Sequence, residues 1–446
     1  MKNKEMKSRG EFSSRFGFIV ACIGSAVGMG NIWMFPYRTG KFGGAAFLIP
    51  YFIFVVLLGF SGVVGEMAFG RSVKAGPLGA FPKAMEMRFG KKGILPGKLI
   101  GIIPVIGSLG IAIGYSVVVG WFLKYLWSAL SGSLGKVEDM GAYFGALAVD
   151  FGSIGWHMLG LFLTFAIMLL GVSRGIEKMN KIMMPVFFVF FLILMVRVAT
   201  LPGAVDGYRY LFIPEWKQLG NIQTWVYALG QAFFSLSLAG SGTLVYGSYL
   251  KKDVSVRECA RNVAFFDTCA ALLAGIVVIP AVFAFDLDVA SGPPLMFITL
   301  PAVFQQMPVG ELFAVIFFVA VLFAAITSLM NLFETPIEAL QMQTGLPRTA
   351  AVGIVAVISA VVGIFIENGD AVGGWMDAVS IYIIPLGALL AAVMFFWICP
   401  KGYAREQVEL GSSKPLGKWF EPVTKYLFVG LTLIVYILGI FFGGIG

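Results

Sequence analysis

About eleven long apolar runs, each near the length of a membrane crossing, constrain this chain more than any other feature. A spanning helix needs roughly 20 apolar residues to cross about 30 Å of hydrocarbon. The runs centre near Gly24, Val56, Ile113, Phe165, Phe190, Ser235, Leu273, Val321, Val357, Leu389 and Tyr436. Several approach about thirty residues, which predicts tilted or broken helices. A β-barrel would read as short alternating strands, so the expected fold class is an all-α integral membrane protein. Composition agrees: 59% hydrophobic and 13% charged residues lie outside the roughly 45–50% and 25% of soluble domains. A water-soluble enzyme, a disordered region and a nucleic-acid module are excluded. The net charge of +8 does not revive nucleic acid as a partner, because the basic residues sit between the apolar runs.

Those basic residues orient the chain. With the amino end inside and eleven alternating crossings, 25 of the 32 Lys and Arg residues fall on the inner side, as the positive-inside rule requires. The outer loops carry Asp286, Asp288, Glu367 and Asp370 instead. The expectation is a multi-pass protein of a bacterial cytoplasmic (inner or plasma) membrane, with its amino end cytoplasmic and its carboxyl end extracellular. The polar start leads into an apolar run that reaches Asn31 and Pro36 without a small-residue cleavage site, so no removable signal peptide is expected. Cys22, Cys259, Cys269 and Cys399 show neither metal nor disulfide spacing. His157 has no second histidine nearby and receives no role. No nucleophile–base pair, redox motif or ATP-binding loop appears, which argues against an enzyme or a primary pump.

Two runs are interrupted at their middles. The first contains Gly24-Ser25-Ala26-Val27-Gly28-Met29-Gly30-Asn31, and the sixth contains Ser235-Leu236-Ser237-Leu238-Ala239-Gly240-Ser241-Gly242. Broken backbone at membrane depth persists only where it is packed in protein or lines a polar cavity. Amides freed at a half-helix start favour an anionic group, and freed carbonyls favour a cation. Two such clusters, five helices apart, predict an internal repeat with a substrate site between its halves.

At these residues the chain resembles the neurotransmitter:sodium symporters. The resemblance rests on Arg15-Phe16-Gly17-Phe18, Gly28-Met29-Gly30-Asn31-Ile32-Trp33 and Phe35-Pro36-Tyr37. It continues through Gly65-Glu66-Met67-Ala68-Phe69-Gly70-Arg71, Gly230-Gln231-Ala232-Phe233-Phe234-Ser235, Phe297-Ile298-Thr299-Leu300-Pro301 and Ala324-Ala325-Ile326-Thr327-Ser328. It implies a 5+5 inverted-repeat fold with broken first and sixth helices, an eleventh helix, and sodium-driven amino-acid uptake. The expected division is a cytoplasmic segment 1–14, repeats 15–200 and 222–398, an extracellular connection 201–221, a cytoplasmic loop 399–424 and an eleventh helix 425–446.

The resemblance also implies two sodium ions. One would take the Ala26 carbonyl, Asn31, Ser235, Asp267 and the substrate's own carboxylate, which would couple ion and substrate reciprocally. The other would take the carbonyls of Gly24, Val27 and Ala324 with the hydroxyls of Thr327 and Ser328. Asp267 is an acid inside an apolar run, a functional residue by default. Its fixed charge would replace the chloride some relatives need, so chloride independence is expected. Glu66 is the competing acid and reads as structural.

For the substrate, the amides of Met29 and Gly30 and the Tyr115 hydroxyl would hold the carboxylate. Carbonyls of Ala26, Phe234 and Ser235 would take the ammonium. Ile111 and Leu332 would form apolar walls beside Ser328, with Phe234 as a lid and Ser237, Leu238, Gly240 and Ser241 at the sixth break. No bulky residue stands within that break, which leaves room for a branched or aromatic amino acid, unless Trp33 refills the space. Two gates depart from the family pattern: Met34 stands where an arginine would face Asp377, and Gln343 stands where an acid would face Arg9. Gly175 and Pro185 punctuate the fifth helix, whose unwinding would admit water to the second sodium. A proton-coupled carrier, a small-neutral-amino-acid carrier, a channel or a substrate sensor of the same fold are the alternatives. The partners expected are an amino acid, sodium and the lipid bilayer, with no obligatory protein partner.

Overall fold

The computed structural model describes residues 11–238, 241–290, 292 and 295–444, and the described residues are helical throughout their regular structure. The first crossing comprises α1 (Arg15–Ala26) and α2 (Phe35–Lys41), joined by a π-helical turn at Gly30–Met34. Ser14 caps α1 by accepting from the Gly17 amide, and Val27 ends it in an extended conformation with ψ 103°. The two halves are bent by 50°. The second crossing is α3 (Ala45–Leu58) and α4 (Val64–Val73), and α5 (Pro77–Phe89) leads into the long α6 (Ile94–Leu130). Next come α7 (Met140–Leu147), α8 (Ile154–Leu169), α9 (Lys178–Ala199) and α10 (Ala204–Phe212). The sixth crossing divides into α11 (Ile222–Ser235) and α12 (Gly242–Ser248), followed by α13 (Val256–Phe283), α14 (Leu300–Gln306), α15 (Gly310–Thr344) and α16 (Arg348–Ile364). The chain closes with α17 (Gly369–Ala378), α18 (Ile384–Val393), α19 (Tyr403–Glu409), α20 (Phe420–Pro422) and α21 (Val429–Phe442).

Among the described residues, seven unbroken helical stretches are long and apolar enough to cross a membrane, and the bent α1–α2 pair makes eight. The other expected crossings are the shorter α8 and α16 and the divided α11–α12. All eleven expected centres fall within helices. The expected tilting or breaking of the longest runs takes the form of π-helical turns at Gly59–Val63, Val172–Glu177, Val379–Ile383 and Met394–Ile398. Such turns insert a residue into the helix, often near functional sites.

The broken first crossing lies at the centre. Helix α1 packs against α9, α12, α13 and α15, whereas the Phe420–Phe442 stretch is only 22% buried and forms part of the apolar exterior. Phe16, Phe162, Val196, Phe365 and Phe441 likewise present large apolar side chains outward, as a lipid solvent demands. Small residues bring backbones together inside. A Cβ at Gly70 would lie 1.8 Å from the Leu244 carbonyl oxygen, and one at Gly247 would lie 2.5 Å from that of Met67. These approaches clamp α12 against α4.

Candidate functional site

A continuous helix would return the amides of Gly28 and Met29 to the carbonyls of Gly24 and Ser25. Both are diverted. The Gly28 amide donates to Asn31 Oδ1 at 3.0 Å, and the Met29 amide donates to the Tyr115 hydroxyl at 3.0 Å. The Gly24 carbonyl thereby loses its helical donor. The Ser25 carbonyl accepts from Ser237 Oγ at 2.8 Å and Ser328 Oγ at 3.2 Å, which ties the first break to the sixth crossing and to α15. At Gly28 the approach is close: a Cβ would lie 2.9 Å from Ser328 Oγ and 3.1 Å from the Tyr115 hydroxyl.

Asn31, Ser235 and Asp267 form one buried cluster from three crossings. Asn31 Nδ2 donates to Asp267 Oδ1 at 2.7 Å, to the Asp267 carbonyl at 3.1 Å and to Ser235 Oγ at 3.1 Å. Ser235 Oγ donates to Asp267 Oδ2 at 2.7 Å, and Tyr51 closes the group at 3.4 Å from Ser235 Oγ. Two directed donors hold a fully buried carboxylate, the arrangement that makes a charge tolerable at this depth. Gln231, from the same α11, donates to the Gly30 carbonyl at 2.8 Å.

A second oxygen group gathers where α15 crosses α1. Thr327 Oγ1 lies 2.9 Å from the Phe323 carbonyl and 3.0 Å from the Ala324 carbonyl, a bond back to its own helix of the usual membrane-helix kind. Such a hydroxyl keeps lone pairs for a cation. The Cβ of Thr327 would be 3.0 Å from a Cβ at Gly24, so the two sides of this group are in contact.

Beside both groups, Gly30, Ile111, Phe234, Ser237, Ser328 and Leu332 keep partial exposure, whereas Ala26, Met29, Tyr115 and Ser235 are buried. A Cβ at Gly30 would meet no atom within 4 Å, so space opens at this end of the break. Leu238 lies at the sixth break, just after α11. Its side chain is fully buried against Gly62, with Cδ1 at 2.9 Å from an ideal Cβ there, so only its backbone remains for a ligand. Ser237 and Ser241 both adopt left-handed conformations, with φ 53° and 56°, and the buried Ser241 hydroxyl has no hydrogen-bond partner among the described residues. Gly240 lies outside the described residues. Trp33 packs edge-on against Phe297 at 6.4 Å.

The two departures from gate ion pairs are answered by other contacts. At the expected outer gate, Asp377 is exposed, and aromatic packing converges on Phe297. Its ring lies 4.7 Å from Phe122, 4.9 Å from Phe144 and 5.7 Å from Trp121, while its carbonyl accepts from the Tyr125 hydroxyl at 2.7 Å. At the expected inner gate, Gln343 donates to the Leu78 carbonyl at 3.2 Å, and Arg9 lies outside the described residues. The contacts at that end use residues that sequence reading missed. Glu177 accepts from the Ser13 amide and Ser13 Oγ, both at 2.6 Å, from Ser14 Oγ at 3.1 Å and from Lys181 at 2.6 Å. Arg15 pairs with Glu258. Phe12 is buried against Phe18, Tyr246 and Tyr249. Tyr249 donates to Glu334, which Arg348 grips through both oxygens at 2.8 and 2.7 Å. The segment from Gly175 to Pro185 is wound, with the π-helical turn at its start.

His157 is part of a further missed network. It bridges Ser116 Oγ at 2.9 Å and Glu367 at 3.1 Å, all fully or almost fully buried, and so joins α6, α8 and the end of α16. Its partners lie 41 and 210 residues away, so no local spacing signals the contact.

Comparison with known proteins sets this geometry beside a family. The model of the sodium:neurotransmitter symporter family matches residues 9–139 and 145–440. An uncharacterized sodium-dependent transporter of Bacillus subtilis (strain 168), YhdH, is 37% identical over 329 residues, 73% of this chain and 71% of its own. An uncharacterized sodium-dependent transporter of Haemophilus influenzae is 29% identical over 459 residues, covering 98% of this chain and 99% of that one. Among solved structures, MhsT in complex with L-phenylalanine superposes with a TM-score of 0.84 at 33% identity, covering 97% of this chain and all of that one.

Proposed function

We propose that this chain, which belongs to the sodium:neurotransmitter symporter family, imports neutral amino acids with bulky hydrophobic or aromatic side chains by alternating access, driven by two sodium ions and without chloride. The chain is a multi-pass membrane transporter and not an enzyme. The observation that carries the reading is the diversion of the Gly28 and Met29 amides at the first break, directly beside the Asn31–Ser235–Asp267 cluster. The substrate carboxylate would enter between Tyr115 and the Met29 and Gly30 amides, displacing one hydroxyl contact, and would then face an ion held by Ser235, Asp267 and Asn31, whose amide must first turn, since its Nδ2 and not its Oδ1 points at Ser235 and Asp267 in this structure. Ion and substrate thus complete each other's coordination, and each raises the other's affinity by the same factor. The second ion sits with Gly24, Val27, Ala324, Thr327 and Ser328. Asp267 supplies the negative charge that chloride-dependent relatives take from solution.

Size selectivity follows from what is absent. The open space at Gly30 and the engagement of Trp33 with Phe297 favour a large side chain, and the solved relative MhsT was crystallised with L-phenylalanine. A scintillation competition series across the neutral amino acids, with and without sodium, tests this. Leucine, isoleucine, phenylalanine and tryptophan are expected to compete at least about tenfold better than glycine or alanine, the worth of a few buried methylenes. Equal competition by glycine would sink the size argument. The amino end is placed in the cytoplasm of a bacterial inner or plasma membrane, where the basic loops stay inside.

A further inference from the structure

We propose that Asn180, on α9, is an additional oxygen ligand of the second sodium ion; the inference rests on the transport reading above. Asn180 is fully buried, and its Nδ2 donates to the Ile176 carbonyl at 2.8 Å. That bond fixes the amide plane and turns Oδ1 away from its own helix. Oδ1 is buried and has no hydrogen-bond partner among the described residues. An orphaned buried acceptor is costly, so such a group is favoured where a partner occupies the site in some state of the cycle.

The position of Oδ1 identifies that partner. An ideal Cβ at Gly24 would lie 1.9 Å from Asn180 Oδ1 and 3.0 Å from Thr327 Cβ. The amide oxygen therefore presses against Gly24, whose carbonyl has lost its helical donor to the diversion of the Gly28 amide. Asn180, Gly24 and Thr327 are thus neighbours from α9, α1 and α15, and they carry an amide oxygen, a free carbonyl and a hydroxyl, the kinds of oxygen a hard cation prefers. No charged group is needed: carbonyl-type oxygens replace a monovalent ion's hydration shell by their dipoles. Alanine at position 24 would have to displace the Asn180 side chain, which explains the glycine.

The sequence position of Asn180 adds a mechanism. It lies between Gly175 and Pro185, one helical turn after Glu177, the residue that binds Ser13 and Ser14 at the inner end of α1. Unwinding of this segment would withdraw a sodium ligand and release the inner end of α1 together. Ion release and inward opening are then one event on α9.

The test is the sodium dependence of radiolabelled L-phenylalanine binding to the purified full chain, at fixed pH, for the wild type, Asn180→Ala and Asn180→Asp. Asn180→Ala is expected to raise the half-saturating sodium concentration about tenfold, as loss of a metal-supporting group commonly does, with phenylalanine affinity at saturating sodium changed less than about twofold. Asn180→Asp keeps an oxygen and adds a charge, so its half-saturation is expected below that of the wild type. A wild-type sodium curve for Asn180→Ala overturns the proposal, as does an aspartate variant that needs as much sodium as the wild type or more. The aspartate comparison decides alone if the alanine variant does not fold. Sodium-independent binding by the wild type would overturn the transport reading itself, and the proposal with it.

Discussion

Asp267→Asn is expected to reduce sodium-driven uptake by about 100-fold or more in chloride-free buffer, and added chloride is expected to restore part of it. The carboxylate is fully buried and takes donors from both Asn31 and Ser235 at 2.7 Å. Removing one charge from such a buried set costs about 3–5 kcal/mol, and about 2.8 kcal/mol already corresponds to 100-fold. The asparagine keeps size and shape but leaves a cation without its counter-charge in an apolar surround. A small anion reaching the vacated position would return that charge, whereas the wild type, with its own carboxylate, is expected to transport equally in gluconate and chloride. The check is a pair of uptake assays in proteoliposomes with the two anions. Full activity of Asp267→Asn without chloride would remove Asp267 from the ion site.

Glu177→Ala is expected to lower uptake by about ten- to 100-fold through a different route, the loss of inner closure. One nearly fully buried carboxylate accepts two 2.6 Å bonds from Ser13, a third from Ser14 and a fourth from Lys181. Hydrogen bonds to a charged group contribute about 1.5–3 kcal/mol each. Losing even one such increment shifts a two-state equilibrium by about ten- to 100-fold toward the inward-open form. Two native thiols report the change: Cys22 on α1 and Cys259 on α13 are buried. Their labelling by a water-soluble thiol reagent is expected to rise in Glu177→Ala and to stay slow in the wild type with sodium bound. Unchanged labelling with reduced uptake would place the defect elsewhere.

What the sequence disclosed divides along a physical line. Helical crossings and their breaks were legible because lipid allows no other solution for twenty apolar residues, and because Gly and Asn at mid-membrane contradict a regular helix. The grouping of Asn31, Ser235 and Asp267 was legible through motif order, and the structure brings the three within hydrogen-bonding distance across 204 and 236 residues. The inner latch was not. Ser13 and Glu177 are 164 residues apart, and each alone is an ordinary polar residue near a loop. Asn180 and His157 escaped for the same reason: a contact between helices leaves no period in either one. The direction of the Leu238 side chain, which packs beside Gly62, was not legible either, since proximity to a break does not say which way a side chain turns.

The account stands or falls on whether two facing half-helices hold an amino acid and sodium in mutual dependence. Purified chain in sealed liposomes, loaded with potassium and diluted into sodium at the same pH, should accumulate labelled L-phenylalanine transiently above the outside concentration. Dilution into potassium or choline should give only slow equilibration. Equal accumulation without sodium, or none in either buffer from protein that binds phenylalanine, would contradict it.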